Sequence, residues 1–170
     1  MMRIQDHGGY TLIELVVTVM IIGILAAFAV PEYLRTVENG RADDAVAISN
    51  MIGTTNRMFA LDHSGFFVAG QFAAACGAGV CPAVVNATQN NPCVLVWCRY
   101  LSDQDWGNKP YTFDACDGSV AGACAGMGAG TQVSGAHRLA GAGAPYNGWG
   151  YTMNTAGVIT AFGGAPAPTY

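Results

Sequence analysis

The sequence predicts an α+β fold in which one long N-terminal helix packs on a small antiparallel β-sheet that is stapled by disulfides. Three observations predict it: an apolar run over residues 10–30, a helical pattern with one apolar face over residues 31–62, and short strand patterns with six cysteines after that. We therefore expect a hydrophilic segment at 1–9, an apolar helix at 10–30, its amphipathic continuation at 31–62 and a globular head at 63–170.

The apolar run is long enough to cross a membrane. It has 21 residues from Tyr10 to Val30, and Glu14 is the only charged residue among them. A helix rises about 1.5 Å per residue, so this run spans roughly 30 Å, the thickness of a bilayer's hydrocarbon core. A carboxylate in such a segment is costly, although the helix dipole favours it near the N-terminus. The position of Glu14 therefore indicates a function.

The segment Gly9-Tyr10-Thr11-Leu12-Ile13-Glu14-Leu15 resembles the processing site of type IV pilins and of the related pseudopilins of type II secretion. The glycine at 23 and the Ile-Leu-Ala-Ala run that follows it also match. In that family a membrane-embedded prepilin peptidase removes a short leader ending in Gly and methylates the new amino terminus. The resemblance implies a cut between Gly9 and Tyr10, an N-methylated Tyr10, Glu14 as the assembly acid and Pro31 as the helix-bending proline.

Two features depart from the family pattern, one residue and the charge of the leader. Tyr10 stands where phenylalanine is commoner, although the aromatic ring is kept. The leader, residues 1–9, has Arg3 as its one fixed positive charge, and Asp6 offsets it. The positive-inside signal that orients a membrane segment is therefore weak but present.

The resemblance implies a pilin-like fold and a structural subunit of a type IV pilus-like filament. The subunit would first be a single-pass protein of the bacterial cytoplasmic membrane and then part of an extracellular or periplasmic homo-oligomeric filament. Its partners would be other copies, prepilin peptidase and inner-membrane assembly platform proteins. Glu14 would pair with the Tyr10 amine of the subunit ahead, since an opposite charge offsets much of the cost of a buried one. The alternative within the family is the major pseudopilin of a type II secretion system.

Other classes of protein explain the N-terminus less well. Ala27-Phe28-Ala29 is a possible signal-peptidase site after an apolar stretch, which would release a secreted, disulfide-bonded binding domain beginning at Val30. Glu14 then sits where a signal peptide has lysine or arginine. A plain membrane anchor does not require this acid, and a buried helix of a soluble domain would show a polar stripe, which is missing here.

Beyond Pro31, which should bend the helix without ending it, the apolar residues fall on one helical face. We expect the helix to reach Leu61 and to end near residues 63–65. Gly40 and Gly53 lower helix propensity by about 1 kcal/mol each and are either flexible points or simply tolerated. The predicted face comprises Leu34, Val37, Ala45, Ile48, Ile52, Thr55 and Phe59.

The head is glycine-rich and contains strand patterns. Asn154-Thr155-Ala156-Gly157 is a good hairpin turn between the last two of them. Residues 94–101 are ambiguous between strand and helix, residues 120–150 should be mostly loop, and residues 163–170 should trail along the surface. The predicted strands are Tyr111 to Ala115, Trp149 to Met153 and Val158 to Phe162.

Trp106 to Phe113 resembles the entry into the sheet of major pseudopilins, a subfamily that also binds calcium in an Asp-rich loop. Residues 151–170, where that loop would fall, contain no Asp or Glu. Asp114 and Asp117 are the nearest acids, and calcium requires six to eight oxygen ligands. The sequence therefore predicts no metal and no other cofactor.

Six cysteines follow the apolar helix, and an even count in a small exported domain predicts disulfides. We expect neighbours in sequence to pair, which gives Cys76–Cys81, Cys93–Cys98 and Cys116–Cys124. Zinc sites favour closer spacing and usually include histidine, and no Cys-x-x-Cys-His motif for attached haem is present.

The sequence does not predict an enzyme. Asp62, His63 and Ser64 are the residue types of a catalytic triad, but neighbours in sequence cannot adopt its geometry, so a polar helix end is expected. The glycine-rich stretches lack a phosphate-loop pattern. The net charge of −4 argues against sequence-independent DNA binding. The six cysteines favour a pilus exposed outside the cell, and the Trp106 segment favours a secretion pseudopilus.

Overall fold

The computed structural model describes residues 9–118, 124 and 131–168. Its first element is helix α1, Leu12–Asp62, which continues through Pro31 and ends where the sequence predicted. The chain forms two compact units, Met1–Glu38 and Asn39–Tyr170, and α1 contributes its first part to one and its second part to the other.

The second unit contains a five-stranded antiparallel sheet whose strands follow one another in chain order. A short helix, α2 at Val94–Trp97, precedes β2 and resolves the ambiguous segment in favour of helix. A 3₁₀ turn at Tyr146–Gly148 precedes β4. The predicted α+β fold is confirmed. The strands are β1 Gly70–Phe72, β2 Tyr111–Ala115, β3 Gln132–Arg138, β4 Gly150–Asn154 and β5 Ile159–Phe162.

The predicted hairpin turn between β4 and β5 is present. The amide of Gly157 donates to the carbonyl of Asn154 at 2.9 Å, and the side-chain oxygen of Asn154 accepts from the amide of Val158 at 2.9 Å. Gly157 has φ +89°, a conformation that glycine adopts without steric cost. The turn residues therefore set the register of this hairpin.

Strand β3 corrects the prediction that residues 120–150 are mostly loop. It lies at the centre of the sheet, although its sequence has a single β-branched residue, Val133. Its small residues bring the backbone close to α1, because the Ser134 hydroxyl donates to the carbonyl of Ser49 at 2.7 Å and lies 3.0 Å from the Ser49 hydroxyl. Contact with the helix, rather than strand propensity, accounts for this sequence.

Close contact between α1 and the sheet also explains the glycine at position 53. A Cβ added at this position would overlap the sulfur of Met153 on β4 and lie 2.8 Å from the Ser134 hydroxyl on β3. The glycine therefore marks a close approach between the second part of α1 and the sheet. Its role is in packing, and the interpretation of Gly53 as a flexible point is replaced. Gly40, by contrast, has open space around it.

The core lies between this part of α1 and the sheet. The predicted apolar face is confirmed at Ala45, Ile48, Ile52 and Phe59, which are buried, and it is wrong at Leu34, which is 53% exposed and belongs to the first unit. Burying each large aliphatic or aromatic side chain contributes about 1.5–3 kcal/mol. The largest fully buried partners on the sheet include Tyr111, Phe113, Val133, Tyr151 and Met153.

Asn56 is a fully buried polar residue in the middle of this contact. Its side-chain amide nitrogen lies 2.9, 2.9 and 3.0 Å from the carbonyl oxygens of Val68, Cys116 and Val133, so its two N–H groups are shared among three acceptors. Its oxygen accepts from the amide of Val68 at 2.9 Å. This one side chain thus pairs with backbone groups next to β1 and β2 and within β3. Leaving such buried groups unpaired would be costly.

The disulfides correct the predicted pairing. Cys76 bonds to Cys93 and Cys81 bonds to Cys98, each over a sequence separation of 17, so neighbour pairing is wrong for these four residues. Cys93 and Cys98 flank the two ends of α2. Five helical steps place Cα atoms roughly 7.5 Å apart along the axis, beyond the reach of a disulfide. Both ends of α2 are therefore tied to the preceding loop.

The third bond is the predicted one. Cys116 pairs with Cys124, and both are buried. The residues on either side of Cys124, 119–123 and 125–130, lie outside the described part of the chain, so the prediction for residues 120–150 is tested only over residues 131–150. In that range the structure has a long strand, a turn and the start of β4.

Trp106 packs beside the first two strands of the sheet, in keeping with the resemblance of residues 106–113 to the segment that leads into the sheet of major pseudopilins. Its ring centroid lies 4.5 Å from that of Phe72 on β1 and 6.0 Å from that of Phe113 on β2. The amide of Lys109 donates to the carbonyl of Trp106 at 3.4 Å, which turns the chain into β2 at Tyr111. The aromatic cluster therefore joins the two strands that the long disulfide loop separates in sequence.

Asp114 is an acid buried on β2, opposite Gln71 and Gly135 in the strand register. It is 3% exposed, and its Oδ2 atom has no hydrogen-bond partner. Because burial disfavours the charged form, the pKa of Asp114 rises to about 7. The fold therefore carries an acid that is most easily accommodated when it is protonated.

Replacing Asn56 with leucine should lower the free energy of unfolding by about 3 kcal/mol or more, because several buried backbone groups lose their partner at once. Chemical denaturation of the full-length chain in detergent micelles measures this change. Asn50→Leu is the matched control, since Asn50 is exposed on the same helix. Equal stability of the two variants would contradict the role given to Asn56.

The pH dependence of stability should report Asp114. Its pKa is about 7 in the folded chain and about 3.9 in an unfolded one, so the unfolded state loses the proton first as pH rises. Stability contributed by the protonated acid is complete below about pH 4 and is lost at up to about 1.4 kcal/mol per pH unit until about pH 7.

The Asp114→Asn variant should lack this loss between pH 4 and pH 7, measured as the difference in unfolding free energy from the parent chain. Asp44→Asn, at an exposed position on α1, is the control and should keep the loss. A parallel pH profile for Asp114→Asn and the parent would show that Asp114 is not the responsible group.

Candidate functional site

The N-terminal end of α1 carries the residues that the sequence singled out. Gly9, Tyr10 and Thr11 precede the helix, which begins at Leu12. Tyr10 is 84% exposed. Of the predicted leader, residues 1–9, all except Gly9 lie outside the described residues. The Gly9–Tyr10 bond thus lies in non-helical chain just before the helix.

The first turn of α1 places Glu14 three residues after Thr11. The amide of Glu14 donates to Oγ1 of Thr11 at 3.3 Å, and the amide of Leu15 donates to the carbonyl of Thr11 at 3.2 Å. Glu14 is the acid of the first turn, where the helix dipole favours negative charge. Within the described part of the chain, its carboxylate has no hydrogen-bond partner.

Apolar side chains surround this end of the helix on every side. Glu14 and the hydroxyls of Thr11 and Thr18 are the exceptions from residue 11 to residue 30. The Thr18 hydroxyl donates to the carbonyl of Leu15 at 2.9 Å and so needs no outside partner. The exposed large apolar residues of this stretch are Leu12, Ile13, Leu15, Val16, Val17, Val19, Met20, Ile21, Ile22, Ile24, Leu25, Phe28 and Val30.

The length and composition of this helix fit a membrane span. It contains an 18-residue window with mean hydropathy 2.7, and none of that window is buried within the chain itself. A core helix of a soluble domain would be buried, as the second part of α1 is. The first part instead presents an uncovered apolar surface, which either lipid or other apolar helices can cover.

Pro31 lies inside α1 at an exposed position. It lacks a backbone N–H, so the carbonyl four residues earlier, that of Ala27, loses its usual intrahelical partner. The helix nevertheless continues on both sides. Pro31 therefore weakens the backbone ladder just beyond the apolar run without ending the helix.

The residues of the apparent triad have structural partners at the end of α1. The His63 ring stacks on Phe59 at a centroid distance of 4.1 Å, and its Nδ1 lies 2.9 Å from the Phe59 carbonyl. The carboxylate of Asp62 accepts from the Tyr100 hydroxyl at 2.6 Å, which raises the pKa of Tyr100. Ser64 follows at φ +57°. These contacts close the helix end.

The acids of the head are not grouped as a metal site. Across residues 9–118, 124 and 131–168, no three Asp, Glu, His or Cys side chains are placed to hold an ion together. The Asp103 carboxylate instead accepts from the amides of Cys76 and Gly77 at 2.9 and 3.1 Å. These hydrogen bonds lower the pKa of Asp103 and hold the start of the disulfide loop.

The contact made by Thr11 was not predicted from the sequence. Thr11 is part of the N-terminal motif, and in the structure its hydroxyl accepts from the Glu14 amide in the first helical turn. The signal was present, since Thr-x-x-Glu before an apolar run is the pattern of a helix capping box. Tyr10, Thr11 and Glu14 thus lie together in one short segment at the start of α1.

Comparison with known proteins agrees with this geometry. The model of the prokaryotic N-terminal methylation motif matches residues 5–30. Type II secretion system core protein G of Vibrio cholerae is 38% identical over 66 residues, which are 38% of this chain and 44% of that protein. Type IV major fimbrial protein FimA of Dichelobacter nodosus is 48% identical over 42 residues, 25% of this chain and 26% of that protein.

The chain spans less than half the length of these curated relatives in the matches. No solved structure gives a significant match. The motif match lies in the N-terminal part of the chain, where the apolar helix begins. Over part of its length this chain is therefore similar to a type II secretion core protein and to a type IV fimbrial protein, and it carries the prokaryotic N-terminal methylation motif.

Proposed function

We propose that this chain is a structural subunit of a type IV pilus-like filament, without catalytic activity of its own. Prepilin peptidase would cut it between Gly9 and Tyr10 and methylate the Tyr10 amine. The subunit would wait in the cytoplasmic membrane, held by the first part of α1. Assembly platform proteins of that membrane would then deliver it into a filament of identical copies, which is extracellular or periplasmic.

The observation that carries this proposal is the uncovered apolar surface around the first part of α1. Thirteen large apolar side chains of residues 12–30 are exposed in the isolated chain. At about 1.5 kcal/mol or more each, covering them contributes on the order of 20 kcal/mol. A bilayer can cover them, and so can a bundle of the same helices, so the same surface serves both stages.

Glu14 would supply the specificity that apolar contact lacks. Leader removal creates an ammonium at Tyr10, and a filament core brings that charge into an apolar bundle. An unpaired buried charge costs several kcal/mol, and an opposite charge at close range offsets much of that cost. The carboxylate of Glu14, which has no partner among the described residues, can therefore pair with the Tyr10 amine of the subunit ahead and set the axial register.

A second candidate function is that of the major pseudopilin of a type II secretion system. Two observations favour it: the longer of the two reported matches is to a type II secretion core protein, and Trp106 leads into β2 as in that subfamily. The disulfides at both ends of α2 favour the pilus, since they suit a filament exposed outside the cell. Imaging of surface fibres before and after deletion of the gene distinguishes the two.

Replacing Glu14 with glutamine should abolish filaments or reduce their yield at least tenfold, because the amide keeps the shape but cannot neutralise the neighbouring ammonium. Membrane insertion and leader removal should be unchanged. The measurement is the amount of sheared filament protein per cell, with intact mass of the membrane-bound subunit as the readout of cleavage.

Glu32→Gln is the matched control, because Glu32 is an exposed acid on the same helix beyond the apolar run. It should assemble like the parent chain. Normal filaments from Glu14→Gln would contradict the pairing, and an equal loss with both variants would show that the effect reflects total charge rather than position.

A further inference from the structure

A groove lies on the second unit, between the last turns of α1 and the turn that joins β4 to β5. It is called the helix-end groove below, and its volume is about 460 Å³. Most of its lining is apolar, and Leu61 at its edge is 84% exposed, which is unusual for a large aliphatic side chain. The lining includes Arg57, Ala60, Leu61, Ser64, Phe67 and Thr155.

Arg57 supplies a cation to this groove. It is half-buried, and a Cβ added at Gly157 would lie 2.7 Å from its Nη1 atom, so the guanidinium rests against the β4–β5 turn. Within the described part of the chain, the guanidinium has no hydrogen bond or ion pair. A partly desolvated cation without an acceptor is costly, and an anion that enters the groove offsets that cost.

Asp44 is an exposed acid on the same helix that also lacks a partner among the described residues. One turn before it is Gly40, which has open space around it, and one turn after it is the exposed Ala47. These small neighbours leave the carboxylate free to enter a groove on another molecule. Other acids of this unit are already engaged: Asp62 with Tyr100, Asp103 with two loop amides, and Asp105 with Asn108.

The groove and this acid lie on different sides of α1. Asp44 and Arg57 are 13 residues apart, which places them roughly 140° apart around the helix and roughly 20 Å apart along it. They therefore cannot meet within one copy. Asp43, by contrast, lies within roughly 40° of Arg57 around the helix, so in copies packed side by side it does not face the groove of a neighbour.

We propose that the helix-end groove binds the Asp44 carboxylate of a second copy of this chain, with Arg57 as its ion-pair partner. A contact between two different surfaces is heterologous, so each added copy presents a new groove and a new acid, and the contact repeats along an open filament. The inference rests on the proposed function and assigns to it a contact between heads that is separate from Glu14.

The shift between the two copies also separates this contact from that of Glu14. Pairing of Asp44 with Arg57 shifts parallel copies by roughly 20 Å along the helix, whereas pairing of Glu14 with a Tyr10 amine shifts them by roughly 6 Å. The two contacts therefore join different neighbours. Loss of one leaves the other possible, which makes the two testable apart.

Charge exchange in the full-length chain tests the pairing. Asp44→Arg and Arg57→Asp should each lower the yield of sheared filaments at least tenfold, because like charges then face each other in the contact. The double variant, which carries both changes, should restore the yield to within about twofold of the parent, since the ion pair is re-formed in reverse. Leader removal, read from intact mass, should be unchanged in all three.

Asp43→Arg is the matched control, because it makes the same change of charge at the neighbouring exposed position. Its filament yield should stay within about twofold of the parent, since Asp43 lies on the other side of the helix.

Cross-linking of assembled filaments locates the contact directly. Arg57→Lys keeps the positive charge, and a water-soluble carbodiimide joins its amine to a carboxylate in contact with it, forming an amide with loss of water. Sheared Arg57→Lys filaments should yield a cross-linked peptide pair that joins positions 57 and 44. Because these positions lie roughly 20 Å apart within one copy, the link must join two copies. The Asp44→Asn, Arg57→Lys double variant should give no such pair.

The inference is overturned if either reversed variant assembles like the parent, if the double exchange does not restore filaments, if Asp43→Arg loses as much yield, or if Arg57→Lys filaments lack the 57–44 link. In each case the proposed function stands as long as the parent assembles and Glu14→Gln does not. A parent chain that is cut but never polymerises overturns the proposed function, and this inference with it.

Discussion

An apolar surface that the chain cannot cover by itself constrains everything at the N-terminus. From Tyr10 to Val30, large apolar side chains face outward in every direction around α1. The free energy of covering them far exceeds the several kcal/mol needed to bury one acid, so the segment leaves water whether or not Glu14 is paired. Apolar burial therefore drives this segment out of water, and in the function proposed above Glu14 sets the register.

The second part of the same helix differs from the first, because it does not leave its apolar face uncovered. Its apolar face is covered within the chain by the sheet, and the contact is close because Gly53, Ser49 and Ser134 are small. Asn56 then satisfies the backbone groups that this close approach would leave unpaired. The head is thus held by a few side chains of matched size and by three disulfides, which suits a sequence with many glycines.

The sequence predicted what depends on local pattern. The apolar run, the end of α1 and strand β2 were found from periodicity, and the Asn154–Gly157 turn from its residue types. Strand β3 was missed because its residues are chosen for contact with α1, which no local pattern shows. The pairing of Cys76 with Cys93 was missed because it depends on α2, which separates Cys93 from Cys98.

The residues of the candidate site also divide into those that a local sequence pattern showed and those that it did not. Glu14 was found because one charge in an apolar run is visible in any reading of the sequence. Thr11 was overlooked because its meaning depends on where the helix begins, a boundary that single sequences define poorly. Asp114 was considered only as a calcium ligand, and the burial of its unpaired Oδ2 atom follows from the packing of the sheet.

The most direct test of this account is the mass and N-terminal fragmentation of the protein isolated from its own cells. The account predicts that the mature chain begins at Tyr10 and carries one methyl group on its amine. A chain that begins at Val30, or one that keeps residues 1–9 in cells that make filaments, would contradict it.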